Sequence, residues 1–526
     1  VKLAWSSFGL FFRALIQLRG KGMRRATEID LALNARPDGV PLQRWLYGEL
    51  RAAILEGRLG PGARLPATRD LAARHGVSRG TVLGVFAQLA AEGYLSGAVG
   101  RGSFVASELP DGRFESAPVS DTARHARKKV DAGRNEGIAL SARGRLLARS
   151  AFAVEGRSFP TRAFRPSQPD LQFFPFALWA RVAARRSRLS NRSMLADGDA
   201  QGYRPLREVI AEHVRVTRGI ACTADHVAIV GSAQQVIDLA ARLWLDPGDA
   251  AWMEDPGYQG ARLVLEAAGA RIAAVPVDTN GIDVSAGRAL APDARLAYVT
   301  AGRQAPLGPA LSLERRLALL DWAHARGALV IEDDYDSEYR FEGRPLAALK
   351  SLDSAGHVIY CGTFSKLLFP ALRIAYAVLP DRLVDPFVAA WSLTGRHVPL
   401  DQQATLHAFI AEGHAGRHVR RMRELYGERA EALREAARRH WAGLLALPPI
   451  VAGLDAPAFL PAGADDALAA RLAAEAGIET RPLSSYAVQR AAPAGLVLGF
   501  AGVGVDEIDA GARTLARVLQ KMLYKT

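Results

Sequence analysis

From Pro41 to Leu59, apolar residues recur every three or four positions at Leu42, Trp45, Leu46, Leu50, Ile54 and Leu55, the spacing of a single helix face. Pro61-Gly62 breaks that pattern. Thr68 is placed to cap a short second helix through Leu71 and Ala72, and Gly76 stops it. Val77 enters a turn, and Ser78 is placed to cap a third helix whose Val82, Phe86 and Leu89 face inward. The stretch YLSGAVGRGSFVA, residues 94–106, then gives two short extended runs around Gly100-Arg101-Gly102, a hairpin with a basic tip. Helix, helix, tight turn, helix and hairpin is the order of a winged helix-turn-helix, which sets its last helix in a DNA major groove.

Beyond Ser107 the pattern lapses until about Gly156, and Arg124, Arg127, Lys128 and Lys129 sit among Ala, Gly and Asp. That reads as a flexible, mildly basic tether, with a second DNA contact through the basic run as the alternative. After Phe164 strands and helices alternate. Val227–Val230 reads as a buried strand, Gln234–Leu245 as a helix, and Ala251-Trp252-Met253 as an extended run leading into a turn. Leu296–Val299 is a further strand, Arg315–Arg326 a helix, and Ala328–Ile331 and His357–Tyr360 two more strands. Such alternation predicts an α/β domain with a mostly parallel sheet and a ligand site at the strand C-termini.

Length and charge sharpen this picture. At 526 residues the chain exceeds one domain, and four segments are expected. They are an extension over 1–22, a winged helix over 23–106, a linker over 107–156 and an effector domain over 157–526. Residues 1–22 are apolar but interrupted by Arg13, and Met23 starts the ordinary domain sequence; an upstream extension without a role is expected, an amphipathic anchor being the alternative. Lys and Arg number 67 against 54 acidic residues, a net charge of +13 that suits a polyanionic partner. Only Cys222 and Cys361 occur, which excludes a disulfide scaffold or a cysteine-built metal site and fits a reducing cytoplasm. No apolar run reaches the roughly 20 residues that span a bilayer.

Candidate chemistry falls in two places. In the N-terminal region Arg69 and Arg79 can bond phosphates or guanine edges, and Ser78 and Thr81 begin the third helix. Thr68 joins them. Arg64 precedes Leu65-Pro66 beside the backbone contact, and Arg101 at the hairpin tip suits the minor groove. In the C-terminal region, Gly231-Ser232-Ala233-Gln234-Gln235 joins a strand to a helix whose N–H groups favour a phosphate. Glu332-Asp333-Asp334-Tyr335-Asp336 ends another strand, and Gly362-Thr363-Phe364-Ser365-Lys366 follows the next, with Arg373 seven residues on. This set suits a phosphorylated aldehyde. Lys366 is the imine-forming lysine; Thr363 and Ser365 bond the phosphate and Arg373 neutralises it. Asp333 holds a pyridine nitrogen protonated, Tyr335 bonds the ring hydroxyl, and Tyr258 stacks on the ring face.

These motifs carry a resemblance. Leu65-Pro66-Ala67-Thr68-Arg69-Asp70-Leu71-Ala72 before Gly76-Val77-Ser78-Arg79-Gly80-Thr81-Val82 resembles the GntR-type winged helix, although position 83 is Leu where some members carry a DNA-contacting Arg. Residues from about 164 to 520 resemble the fold type I aminotransferases that use pyridoxal 5'-phosphate. The motifs EDDYDSEYRFEG, GTFSKLLFPALRIAY and EGHAGRHVRRMRELYGERA are similar to those of the MocR/PdxR regulators, which join both parts. The resemblance implies Lys366 as the aldimine lysine, Asp333 at the pyridine nitrogen, and a head-to-tail homodimer.

The chain departs from that family at three places. Thr300-Ala301-Gly302-Arg303-Gln304-Ala305-Pro306-Leu307-Gly308 stands where the family reads close to TPSHQFPTG; Gln304 remains, as a further cofactor contact, but Arg303 replaces a histidine. Gly260 stands where members that respond to GABA carry an arginine after the stacking tyrosine. The last strand, Leu496–Ala501, has no arginine for a substrate carboxylate, and Arg481 is the candidate in its place. The expectation is a cytoplasmic regulator that binds a double-stranded DNA operator and senses either pyridoxal phosphate itself or an amino compound. An active aminotransferase with an accessory DNA-binding unit is the alternative.

Overall fold

The structure is a computed structural model describing residues 33–98, 102–109, 139–148, 161–189, 194, 196, 198–343, 346–489 and 492–524. The chain divides into two compact units, residues 1–137 and 138–526. The extension over residues 1–22 and Arg101 lie outside the described residues.

The first unit contains α1 (Leu42–Leu55), α2 (Thr68–His75), α3 (Arg79–Ala91) and the antiparallel hairpin β1 (Leu95–Ala98) and β2 (Gly102–Val105). Leu46, Leu50, Ile54, Leu71, Val82, Phe86 and Leu89 form its core with Leu59 and Val105. Each buried side chain of this kind contributes about 1.5–3 kcal/mol on leaving water. Two expectations need correction. The first helix ends at Leu55 because Gly57 takes a left-handed φ of 76°, ahead of Pro61-Gly62, and Leu59 enters the core from the turn instead. Its end residues Leu42 and Leu55 are 40% and 43% exposed, at the margins of the apolar face. Thr68 is the first helical residue of α2 and not its cap; Ala67 holds that position and makes no side-chain cap bond. The other two signals hold. Gly76 ends α2 in a left-handed conformation with φ 64°, and Ser78 Oγ caps α3 by accepting from Thr81 N at 3.0 Å.

The stretch read as a patternless linker contains one described helix, α4 (Ala142–Leu147), which packs on the helix Gln259–Ala267. Ser141 caps it, accepting from Gly144 N at 3.0 Å. Six residues are too few to set a hydrophobic period, so the helix leaves no periodic mark.

The second unit is built on β3 (Val227–Val230), β4 (Ala250–Asp255), β5 (Arg271–Asp278), β6 (Gly281–Ile282), β7 (Leu296–Val299), β8 (Leu329–Asp334), β9 (Val358–Thr363) and β10 (Ala375–Val378). They form one sheet in the order β3-β10-β9-β8-β7-β4-β5-β6. β9, β8, β7, β4 and β5 pair in parallel, whereas β10 is antiparallel to both neighbours and β6 to β5. Alternate residues face two separate cores: Met253, Tyr298, Ile331 and Ile359 one, Trp252, Ala297, Val330 and Val358 the other. Burial on both faces explains why these strands read as unbroken apolar runs. A second, antiparallel sheet has the order β11-β13-β12, from β11 (Asp455–Phe459), β12 (Arg481–Pro482) and β13 (Gly495–Gly499). Among the described residues no helix is long and apolar enough to cross a membrane.

Candidate functional site

A cavity of about 680 Å³ opens where the C-terminal ends of the parallel strands face the smaller sheet. The ends of several strands contribute to its wall. Ser232, Ala233 and Gln234 come from the turn after β3, Tyr258 follows β4, Asp333 lies in β8 with Tyr335 just after it, and Thr363 ends β9 ahead of Ser365 and Lys366. Arg373 precedes β10 and Arg481 starts β12. The crevice at strand C-termini is where open α/β sheets bind ligands, because side chains from several loops converge there without interrupting the sheet.

Asp333 sets the electrostatics. Its Oδ2 accepts from the Tyr298 phenol at 2.7 Å, while its buried Oδ1 has no hydrogen-bond partner among the described residues. Burial pushes this carboxyl up to about 6, against the opposing effects of the Tyr298 hydrogen bond and Lys366. A buried carboxylate oxygen without a donor is costly, so this atom fits a cationic N–H supplied by a ligand. Lys366, in the short helix Phe364–Leu367, donates from Nζ to the Ser167 carbonyl at 2.7 Å. A primary amine and an under-satisfied carboxylate thus wall one cavity.

The wall contributed by the turn after β3 suits an anion. The helix α5 (Ala233–Trp244) begins there, with Ser232 as its cap and Gly231 N donating to Gln235 Oε1 at 2.7 Å. A helix N-terminus presents N–H groups and partial positive charge to a phosphate. Thr363 Oγ1 accepts from Ser365 N at 3.2 Å, which fixes the Thr363 hydroxyl at the strand end, and Ser365 walls the same cavity. Arg373, in a left-handed conformation with φ 52°, brings a guanidinium to the same cavity.

Gln304 departs from its expected place. It is 1% exposed and does not wall the cavity; its Nε2 donates to Pro256 O and Ala305 O at 2.8 Å and its Oε1 accepts from Leu307 N at 3.0 Å. Its amide is consumed in shaping the loop. Several wall residues carried no sequence signal: Arg165, Ser167, Gln168, Asp455, Glu479 and Thr480 come from loops and the smaller sheet. Tyr298 was legible in principle, since a phenol inside a buried strand needs a partner.

In the first unit Arg64, Arg69, Ser78 and Arg79 are exposed, and Thr68 and Thr81 half-buried. Ser78 Oγ and Thr81 Oγ1 lie 2.8 Å apart, so both hydroxyls serve the cap of α3. Arg64 lies in an extended segment bridged to Phe104 of β2, its Nε 3.1 Å from where a Cβ on Gly102 would stand.

Residues 42–105 match the family described as bacterial regulatory proteins, gntR family, and residues 169–515 match aminotransferase class I and II. The chain is 39% identical over 481 residues to the probable rhizopine catabolism regulatory protein MocR of Rhizobium meliloti, covering 91% of this chain and 94% of that protein. It is 30% identical over 487 residues to the pyridoxine biosynthesis transcriptional regulator PdxR of Corynebacterium glutamicum, covering 91% and 96%. Among solved structures, LysN, an alpha-aminoadipate aminotransferase of Thermus thermophilus complexed with N-(5'-phosphopyridoxyl)-L-leucine, matches with TM-score 0.64 and 29% identity over 69% of this chain and 93% of its own. With a gntR-family region ahead of a class I and II aminotransferase region, and likeness to MocR and PdxR along most of its length, the chain belongs to the MocR/PdxR-type regulators.

Proposed function

We propose that this chain is a transcriptional regulator that binds DNA through α3 and its hairpin and holds pyridoxal 5'-phosphate in the cavity at Lys366. The observation that carries the reading is that Lys366 and Asp333, whose Oδ1 is under-satisfied, wall one cavity, in a chain that also has a gntR-family region. Pyridoxal phosphate, when bound, supplies an aldehyde that accepts a primary amine and a ring that withdraws electrons. The residues divide the work. Asp333 Oδ1 holds a proton at the pyridine nitrogen, Tyr335 donates to the ring oxygen and Tyr258 covers the ring face. Ser232, Ala233, Gln234, Thr363, Ser365 and Arg373 take the phosphate. Arg481, which lies opposite Val497 of β13, receives an effector carboxylate.

Two signals fit this cavity: the coenzyme itself, or an amino compound whose primary amine would take the place of Lys366 at its aldehyde. In either case the ligand must favour one conformer, since equal affinity for both shifts nothing. DNA contacts fall to Arg64, Thr68, Arg69, Ser78, Arg79, Thr81 and Arg101. The protein works in the cytoplasm as a homodimer. Selection of bound sequences from a random DNA pool, with and without pyridoxal phosphate, tests the reading. Enrichment of a common sequence that depends on Arg79 supports it; steady transamination with no enriched sequence overturns it in favour of an enzyme.

A further inference from the structure

Arg303 lies in the loop after β7 and is 6% exposed. Its Nη1 donates to the Tyr335 phenol oxygen at 2.9 Å and to Asp336 Oδ2 at 3.0 Å. Its Nη2 donates to Asp455 Oδ1 at 3.1 Å and to the Asp455 backbone carbonyl. One planar fork therefore joins the end of β8 to the start of β11 in the smaller sheet. Asp455 continues the chain of contacts: its Oδ2 accepts from Ser167 N at 2.9 Å and Ser167 Oγ at 3.1 Å. Ser167 holds a left-handed backbone with φ 59°, a conformation a non-glycine residue keeps only when its surroundings fix it. The carbonyl of that same residue accepts from Lys366 Nζ.

The fold makes room for this guanidinium. Gly453 has φ 95°, and a Cβ there would stand 2.5 Å from Arg303 Cζ and 2.8 Å from Asp336 Oδ2. Burial opposes the charge on Arg303, and Tyr335, Asp336 and Asp455 outweigh it, so the guanidinium stays charged. Asp334 and Lys366 also act on Asp336, and the charges of Asp336 and Arg303 both act on Arg340.

We propose that Arg303 is a positioning residue for the coenzyme: it orients the Tyr335 phenol toward the ring oxygen and, through Asp455, fixes the Ser167 carbonyl that receives Lys366 Nζ. The proposal rests on the cofactor reading above. With its oxygen accepting from Arg303, Tyr335 is left to direct its own O–H into the cavity, and that O–H becomes a stronger donor. Toward a bound coenzyme such a donor would draw charge from the ring oxygen and lower the pH at which the visible absorbance changes. A lysine keeps the charge but is a point donor, unable to bridge Tyr335 and Asp455 together.

The test uses the full chain loaded with pyridoxal phosphate, as wild type, Arg303→Lys, Tyr335→Phe and the double variant. The readouts are the pH midpoint of the bound coenzyme's visible absorbance and the thermal unfolding of each unloaded protein. Arg303→Lys is expected to raise the midpoint by about one pH unit, and to add almost nothing in the Tyr335→Phe background. Arg303→Gln, which keeps a planar group with two N–H donors in place of five and adds no titrating group, serves where Arg303→Lys does not fold, with the same expectation. A lowered unfolding temperature with an unmoved midpoint makes Arg303 merely structural and overturns the proposal. So does an equal shift with and without Tyr335. A wild type that gives no visible band overturns the cofactor reading itself, and this proposal with it.

Discussion

The Asp333 carboxyl is buried, half-satisfied and pushed up to about 6 by desolvation, with Asp334 adding to the shift. For an acid raised on folding, the contribution to stability is present below its ordinary value of 3.8 and is lost as pH rises through about 6. A cationic nitrogen in the cavity reverses this, because it pairs with the ionised form. Affinity for pyridoxal phosphate is therefore expected to tighten as pH rises from 5 to 7, by up to about 10-fold per unit below the midpoint. Asp333→Asn abolishes that dependence and weakens binding by about 10-fold or more. Equilibrium binding followed by absorbance checks both outcomes. Asp333 and Lys366 were legible in the sequence because each follows an apolar strand run and carries chemistry that a strand end exposes. Gln304 was misplaced for a physical reason: its loop turns the amide inward, onto backbone carbonyls that no sequence pattern marks. Ser167 and Asp455 were invisible, since their roles come from contacts across the cavity between segments 288 residues apart.

Among the elements, the helix signals that held were those backed by a conformational requirement. Gly76 ends α2 because it alone relieves the left-handed turn, and Ser78 caps α3 through a bond to Thr81 N. Thr68 carried the right chemistry one residue too late, and α4 was too short to show a period. Ser78→Ala is expected to cost about 1 kcal/mol in the first turn of α3. Hydrogen exchange at the Thr81 amide reads this as a rise of roughly 5-fold, while the amides of β8 stay protected. Arg79, exposed at the start of the same helix, is expected to weaken DNA binding by about 1–3 kcal/mol when changed to Ala if it reads a base edge. A uniform loss across all sequences with a reduced salt slope identifies a phosphate contact instead; fluorescence anisotropy at several salt concentrations separates the two.

At the scale of the whole molecule, the two compact units divide at residues 137 and 138, inside the stretch where the hydrophobic pattern lapses. The α/β class and the winged helix were readable because strands buried on both faces and helices with one apolar face leave strong periodic marks. The cavity between the larger and smaller sheets was only half readable: one wall is made of strand-end motifs, the other of loops whose position follows from packing. A coenzyme attached at one lysine of that cavity is what the sensing function requires. Reduction of the pyridoxal phosphate-loaded chain with borohydride, followed by peptide mapping by mass, tests it most directly. A phosphopyridoxyl mass is expected on the peptide that contains Lys366, absent in Lys366→Ala. An unmodified Lys366 peptide after reduction, or a label on other lysines alone, contradicts it.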